Sequence, residues 1–258
     1  MESILFSKEN GIATATLNRP EKFNSIIREI ALAMQNFLKE CEADPEVRCI
    51  VITGNGKAFC AGQDLKEATD PEGFPIEQIV DQHYNPIIKK IREIEKPVVA
   101  AVNGVAAGAG ANLALACDIV IAKESAYFLQ AFSKIGLIPD SGGTYTLPRL
   151  VGLARATALM FLGEKVYAKE AVEMGMIYKT VADDQFEEEV QKLASKLASL
   201  PTRALGLTKL ALNKSLSNDL STQLMVEEQL QANASHTADY AEGVASFLEK
   251  RKPVFKGE

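Results

Sequence analysis

The chain has 258 residues, 47% of them hydrophobic and 24% charged, with 17 Gly and 10 Pro, a globular composition that excludes low-complexity disorder. A net charge of -6 argues against a nonspecific grip on nucleic acid or on an anionic membrane. Cys41, Cys49, Cys60 and Cys117 are scattered without a C-x-x-C pair, and His83 and His236 stand far apart, so no metal site is expected. MESILFSKENG shows neither a basic leader nor a long apolar run. A cytoplasmic protein with free thiols is the expectation.

In chain order, Ile4–Ser7 and Ile12–Leu17 read as a hairpin around Glu9-Asn10-Gly11, where Asn-Gly supplies positive φ angles. Ile26–Glu42 reads as a helix with Ile30, Met34, Phe37 and Leu38 on one face. Cys49–Thr53 reads as a buried strand ended by Gly54-Asn55-Gly56, and Glu77–Ile94 as a long helix stopped before Lys96-Pro97. Residues Pro97–Ala122 are nearly uncharged and long enough to span a bilayer, but Asn103, Asn112 and Asp118 punctuate them. They divide instead into strand Val98–Val102, turn Asn103-Gly104 and strand Ile119–Ala122. After Val181 the pattern turns helical, through Phe186–Ser199, Ala204–Leu216, Thr222–Ala234 and Tyr240–Lys250, with breaks at Pro201 and Asn218-Asp219. An α/β class follows, with a mixed core over 1–195 and a helical region over 196–258 that packs on the core or on a neighbouring subunit.

Three segments bear on chemistry. Ala58-Phe59-Cys60-Ala61-Gly62-Gln63-Asp64-Leu65-Lys66 follows a strand, and its small residues let backbone N–H groups face a ligand. The same composition fits an ordinary glycine-containing loop that opens a helix. Asn103–Leu113 feeds a strand into a helix that starts among Gly108, Ala109 and Gly110, where unpaired N–H groups and the helix dipole favour negative charge on an oxygen. Close helix–strand packing also selects Gly and Ala. A dinucleotide loop is disfavoured because Leu113 occupies the third glycine position of G-x-G-x-x-G. The third segment, Lys134–Thr144, carries Pro139-Asp140-Ser141-Gly142, an ordinary turn composition. The apolar run Ile135–Ile138 before it would raise the pKa of a carboxylate at Asp140 by desolvation, as a base near neutrality requires.

Together with Asn18–Asn24 and Glu164–Gly175, these segments resemble the crotonase (enoyl-CoA hydratase/isomerase) superfamily over essentially the whole chain. The resemblance implies a crotonase-like spiral of β-β-α turns with a C-terminal helical oligomerisation region, in a homotrimer or a dimer of trimers. It implies an acyl-CoA thioester as substrate, with coenzyme A part of that substrate and no separate cofactor. The Gln63 and Ala109 amides become the oxyanion donors, flanked by Gly62 and Gly108. Ala61 and Leu65, with Asp64 between, match the adenine side, Lys22 lies near the ribose phosphate, and Phe255-Lys256 resembles a tail that reaches a neighbour's ligand. Family hydratases carry glutamates where this chain has Asn112 and Phe132, whereas Asp140 sits where some family isomerases place a carboxylate. One carboxylate suffices to move a proton between two carbons. Lys134–Arg149, Ala204–Lys209 and Ala238–Phe255 most resemble bacterial phenylacetate-pathway isomerases, which convert ring-epoxidised phenylacetyl-CoA to oxepin-CoA and shift 3-enoyl to 2-enoyl thioesters. A hydratase of unsaturated acyl-CoAs, a noncatalytic acyl-CoA binder and, against the acidic charge, an RNA binder are the alternatives.

Overall fold

The computed structural model describes residues 2–258. It opens on a hairpin of β1 (Ile4–Glu9) and β2 (Ile12–Leu17), with Glu9 opposite Ile12 across a two-residue loop. Asn10 and Gly11 take φ of 52° and 78°, the left-handed pair that matches the twist of a hairpin. α1 (Arg28–Ala43) buries Ile30, Met34, Phe37 and Leu38, the face read from the sequence. It starts later than the periodicity predicts because the Ile26 backbone pairs elsewhere. The Ile26 N–H donates to Gly62 O at 2.7 Å, and the Ile26 carbonyl accepts from Asp64 N at 2.9 Å.

Three successive passes then each add one strand to each of two sheets. β3 (Cys49–Gly54) leads to β4 (Ala58–Cys60), β5 (Val98–Val102) to β6 (Val105–Ala107), and β7 (Ile119–Lys123) to β8 (Tyr127–Leu129). With β9 (Lys165–Tyr167) and β10 (Lys179–Val181), the sheets run β1-β2-β3-β5-β7-β10 and β4-β6-β8-β9. From β2 to β10 the larger sheet is parallel, so both of its faces must be covered. The period of two divides the strands accordingly. Ile50, Ile52, Val98 and Ala100 join the main core, whereas Cys49, Val51, Val99 and Ala101 face the other way.

α2 (Leu65–Ala68) follows β4, and the helix read over Glu77–Ile94 proves to be interrupted. α3 (Ile76–Ile79) passes through a π-helical turn, Val80–Tyr84, into α4 (Asn85–Glu93). Pro86 is the physical cause: it has no N–H to donate and its ring crowds the Gln82 carbonyl. Gln35 of α1 compensates, its Nε2 donating to Gln82 O at 2.7 Å and to His83 O at 3.3 Å. The apolar run after Pro97 is β5, β6, α5 (Ala109–Ala116) and β7. No helix of the described residues is long and apolar enough to cross a membrane.

The chain continues through α6 (Gly143–Val151), α7 (Leu153–Leu162), α8 (Ala168–Glu173) and α9 (Phe186–Ser199). Residue 195, taken as the boundary between core and helical region, lies inside α9. Phe186, Ala194, Leu197 and Ala198 of α9 cover the second face of the larger sheet, so the chain leaves that layer only at Leu200-Pro201. α10 (Thr202–Ser215), α11 (Leu220–Ser235) and α12 (Ala238–Glu249) follow, each starting two residues before its predicted beginning. The caps explain two of these starts: Asp219 accepts from Thr222 N, and Thr237 from Tyr240 N.

Asp118 ties α10 to the core. Its carboxylate accepts from Val98 N (2.9 Å), Lys209 Nζ (2.7 Å) and Arg92 Nη1 (3.4 Å). The C-terminal tail folds back on its own chain: Asp239 accepts from Lys256 N and Gly257 N, and Arg48 Nη1 donates to Phe255 O at 2.9 Å. Removing one partner of a buried ion pair strands the other charge, at a cost of about 3–5 kcal/mol. Asp118→Asn, which leaves the buried Lys209 ammonium without its carboxylate, is therefore expected to lower stability by roughly 3 kcal/mol. Urea denaturation at fixed protein concentration checks this, and an unchanged midpoint contradicts it.

Candidate active site

Two small-residue segments meet where the β4 strand end approaches the start of α5. A Cβ added to Gly62 would lie 3.0 Å from Ala107 O and 3.2 Å from Ala109 N. A Cβ on Gly110 would overlap the Cys60 carbonyl, so the approach requires glycine there. Gly108, at φ 53° and ψ -128°, turns the chain into the helix, and its N–H donates to Leu129 O at 2.8 Å. Ile26 clamps the other segment through its bonds to Gly62 and Asp64, leaving the Gln63 N–H out of that pairing. Among the described residues neither the Gln63 nor the Ala109 N–H has a backbone acceptor in a turn, loop or cap. Two peptide donors without such acceptors thus lie on the two segments that meet here, Ala109 at the positive end of a helix dipole.

The remaining residues read from the sequence occupy two zones. On the outer side, Lys22 and Leu65 are exposed, and Ala61 is held by its N–H donating to Phe23 O at 2.9 Å. Asp64 is engaged by the protein itself: it accepts from Arg19 Nη2 at 2.9 Å and caps α2 through Lys66 N at 3.0 Å. On the inner side, the Phe132 ring is buried 3.9 Å from where a Gly108 Cβ would stand. Asn112, expected among the ligand contacts, is buried with both side-chain polar atoms bonded within the protein. Its Nδ2 donates to Asp140 O at 2.8 Å, and its Oδ1 accepts from Gln130 Nε2 at 2.8 Å.

Asp140 stands at the entrance to α6, before Ser141 and Gly142 at φ of 50° and 73°. The Ser141 hydroxyl donates to Asp140 Oδ1 at 2.9 Å. Burial pushes the Asp140 carboxyl above its ordinary range, while the Ser141 hydrogen bond pulls the other way. Beside it lies a cavity of about 450 Å³ walled by Ile76, Val80, Leu137, Ile138 and Pro139, with Glu77 and Asp81 also on its lining. An apolar wall and a reluctant carboxylate are what a proton-transfer base near neutral pH needs.

Tyr84 also belongs to this site, with no motif in the sequence to mark it. Its buried hydroxyl donates to Gln63 Oε1 at 2.9 Å, and Asp140 is among the groups whose charge raises the phenol's pKa, after burial and Cys60. Pro86 within a helical pattern was the one signal in the sequence that the backbone here departs from a plain helix.

Comparison with known proteins decides the family. The enoyl-CoA hydratase/isomerase family profile matches residues 7–258. The chain belongs to that family. It is 49% identical to the 1,2-epoxyphenylacetyl-CoA isomerase of Escherichia coli K12, over 100% of both chains. It is 46% identical to a Rhodobacter capsulatus protein named "Probable enoyl-CoA hydratase", over 99% of this chain and 98% of the relative. Among solved structures, the enoyl-CoA hydratase of Bacillus anthracis superposes with a TM-score of 0.93 at 36% identity, covering 100% of both chains. The two-sheet spiral and the C-terminal helices are thus a crotonase fold.

In this member of the family Asp140 is held where its charge is unwelcome, which has a consequence for stability. Its native pKa lies above the unfolded value of about 3.9. The native state therefore holds a proton that the unfolded state releases, and the contribution to stability is full below about pH 4 and lost as pH rises through the native pKa. Asp140→Asn is expected to raise the melting temperature at pH 8 and to do so less at pH 5. Calorimetry at the two pH values checks this. A variant that melts lower than the native protein at pH 8 contradicts it.

Proposed function

We propose that the protein is an acyl-CoA isomerase in which the Gln63 and Ala109 amides hold the thioester oxygen and Asp140 carries the proton. The observation that carries this reading is the desolvated carboxyl of Asp140 beside an apolar wall, with Asn112 and Phe132 at the positions the family's hydratases fill with glutamate. A thioester carbonyl acidifies the C–H beside it. Asp140 takes that proton, negative charge moves onto the oxygen between the two amides, and the same carboxylic acid returns the proton at the far end of the extended enolate. Each oxyanion donor accounts for roughly 3–4 kcal/mol of barrier in enzymes where one has been removed. Coenzyme A arrives with the substrate, its adenine end against Ala61 and Leu65 and its phosphate near Lys22; no separate cofactor takes part.

For the acyl group we propose ring-1,2-epoxyphenylacetyl-CoA, converted to oxepin-CoA, and 3-enoyl-CoA, converted to 2-enoyl-CoA. The first follows the activity named for the Escherichia coli relative. A second reading, hydration of 2-enoyl-CoA, rests on the Rhodobacter capsulatus name and on Glu77 and Asp81 lining the Asp140 cavity, where either offers a second carboxylate. Four buried free cysteines suit a reducing cytoplasm. A homotrimer or a dimer of trimers is the proposed assembly. α11 buries none of its residues, and Leu220, Leu224 and Met225 on it stand exposed, as do Phe247 and Leu248 of α12, apolar surface of the kind that marks an interface.

Two outcomes are expected. Asp140→Asn should slow single-turnover isomerisation of a 3-enoyl-CoA at least about a hundredfold and leave thioester affinity nearly unchanged, because the donors are amides of other residues. Retention of the native rate sinks the isomerase mechanism, and native hydration of 2-enoyl-CoA abolished by Glu77→Gln or Asp81→Asn favours the second reading. Light scattering at micromolar concentration should give three or six times the 28.0 kDa of one chain, and the mass of one chain contradicts the proposed assembly.

A further inference from the structure

We infer that Gln130 is a positioning residue for the proton transfer, acting through Asn112 to fix the turn that presents Asp140. This rests on Asp140 being the proton carrier. Gln130, just beyond the end of β8, and Asn112, on α5, come from separate passes of the spiral and are both buried, at 3% and 1% exposure. Their amides form a directed chain: Gln130 Nε2 donates to Asn112 Oδ1 at 2.8 Å, and Asn112 Nδ2 donates to Asp140 O at 2.8 Å.

Only one orientation of the two amides satisfies this chain. The Asp140 carbonyl can only accept, so Asn112 must turn Nδ2 toward it. That leaves Asn112 Oδ1 facing Gln130, which must supply a donor. Without Gln130, Asn112 Oδ1 loses its buried donor, and the single bond to Asp140 O is left to orient the amide. The same carbonyl also accepts from Gly143 N at 2.9 Å, and a Cβ on Gly143 would overlap the Asn112 amide. The amide is therefore packed flat against the first residue of α6. It braces a turn in which Ser141 holds φ of 50°, a left-handed conformation that a non-glycine residue keeps only when its surroundings impose it.

Gln130 gains nothing for itself in this place. Its Oε1 is buried and has no hydrogen-bond partner among the described residues. A leucine would fill similar space without that penalty, so the side chain is explained by the donor it supplies.

Gln130→Leu removes the donor, and Gln130→Glu makes it conditional on protonation. For Gln130→Leu, kcat on a 3-enoyl-CoA should fall about tenfold to a hundredfold, the loss expected when a reacting group drifts by an ångström or less. KM should change less than about twofold, since the oxyanion donors of this mechanism are untouched. A loosened turn lets more water reach the half-buried Asp140 and lowers its pKa, so the acid limb of kcat/KM should move to lower pH. Gln130→Glu should work near the native rate while its carboxyl is protonated and lose activity as pH rises, giving a descending limb that the native enzyme lacks. Should Gln130→Leu not fold, this limb decides alone. Native kcat in Gln130→Leu, or an equal loss at every pH with no new limb in Gln130→Glu, overturns the inference. Asp140→Asn measured alongside separates the two levels. If it is inactive while Gln130→Leu is native, only the positioning role fails; if it is fully active, the proton carrier itself is misassigned.

Discussion

The contact between the Cys60–Gln63 segment and the first turn of α5 is the constraint on which the rest of the site depends. It exists because Gly110 has no side chain to strike the Cys60 carbonyl and because Gly62 can approach Ala109. Each segment is the end of a short strand in the smaller sheet, and β4 pairs directly with β6. Sheet register therefore sets the spacing of the Gln63 and Ala109 amides before any ligand arrives. Donors fixed in this way need not reorganise when charge develops on an oxygen, the condition under which such groups accelerate a reaction most. The same helix carries Asn112 one turn further on, so one rigid element places both the Ala109 amide and the brace on Asp140.

The site is built against local stability. Asp140 is half-buried against the wall of Leu137, Ile138 and Pro139, and among the described residues its only side-chain donor is the hydroxyl of Ser141, itself in a left-handed conformation. Tyr84 is delivered toward Gln63 from a π-turn that exists because Pro86 cannot continue an ordinary helix. Such departures persist only when the surrounding fold over-determines them. Here the parallel sheet, covered on both faces, and the Asp118 cluster beneath α10 supply that rigidity.

The elements legible in the sequence were those whose signal is local. The Asn10-Gly11 turn, the all-buried strand Val98–Val102 and the helix Phe186–Ser199 needed only their own residues to be read. Of the site, the three small or acidic segments stood out, and family resemblance gave Gln63, Ala109 and Asp140 their roles. What escaped depends on contacts between distant segments. Gln130 looks like any polar residue after a strand until Asn112 is folded against it, and Asp64 reads as a loop carboxylate until Arg19 reaches it. The Tyr84 hydroxyl points where it does only because the periodic pattern over Glu77–Ile94 breaks at Pro86.

A single carboxyl that both removes and returns the proton is the centre of this account, and hydrogen tracing tests it most directly. Single-turnover isomerisation of a 3-enoyl-CoA in D2O, followed by NMR of the product, reports where the transferred hydrogen originates and on which face it arrives. Asp140, half-buried against an apolar wall, should deliver part of the substrate's own protium to the far carbon, on the face from which it was removed. Full deuterium incorporation on the opposite face would require a second acid and would contradict the one-carboxylate mechanism.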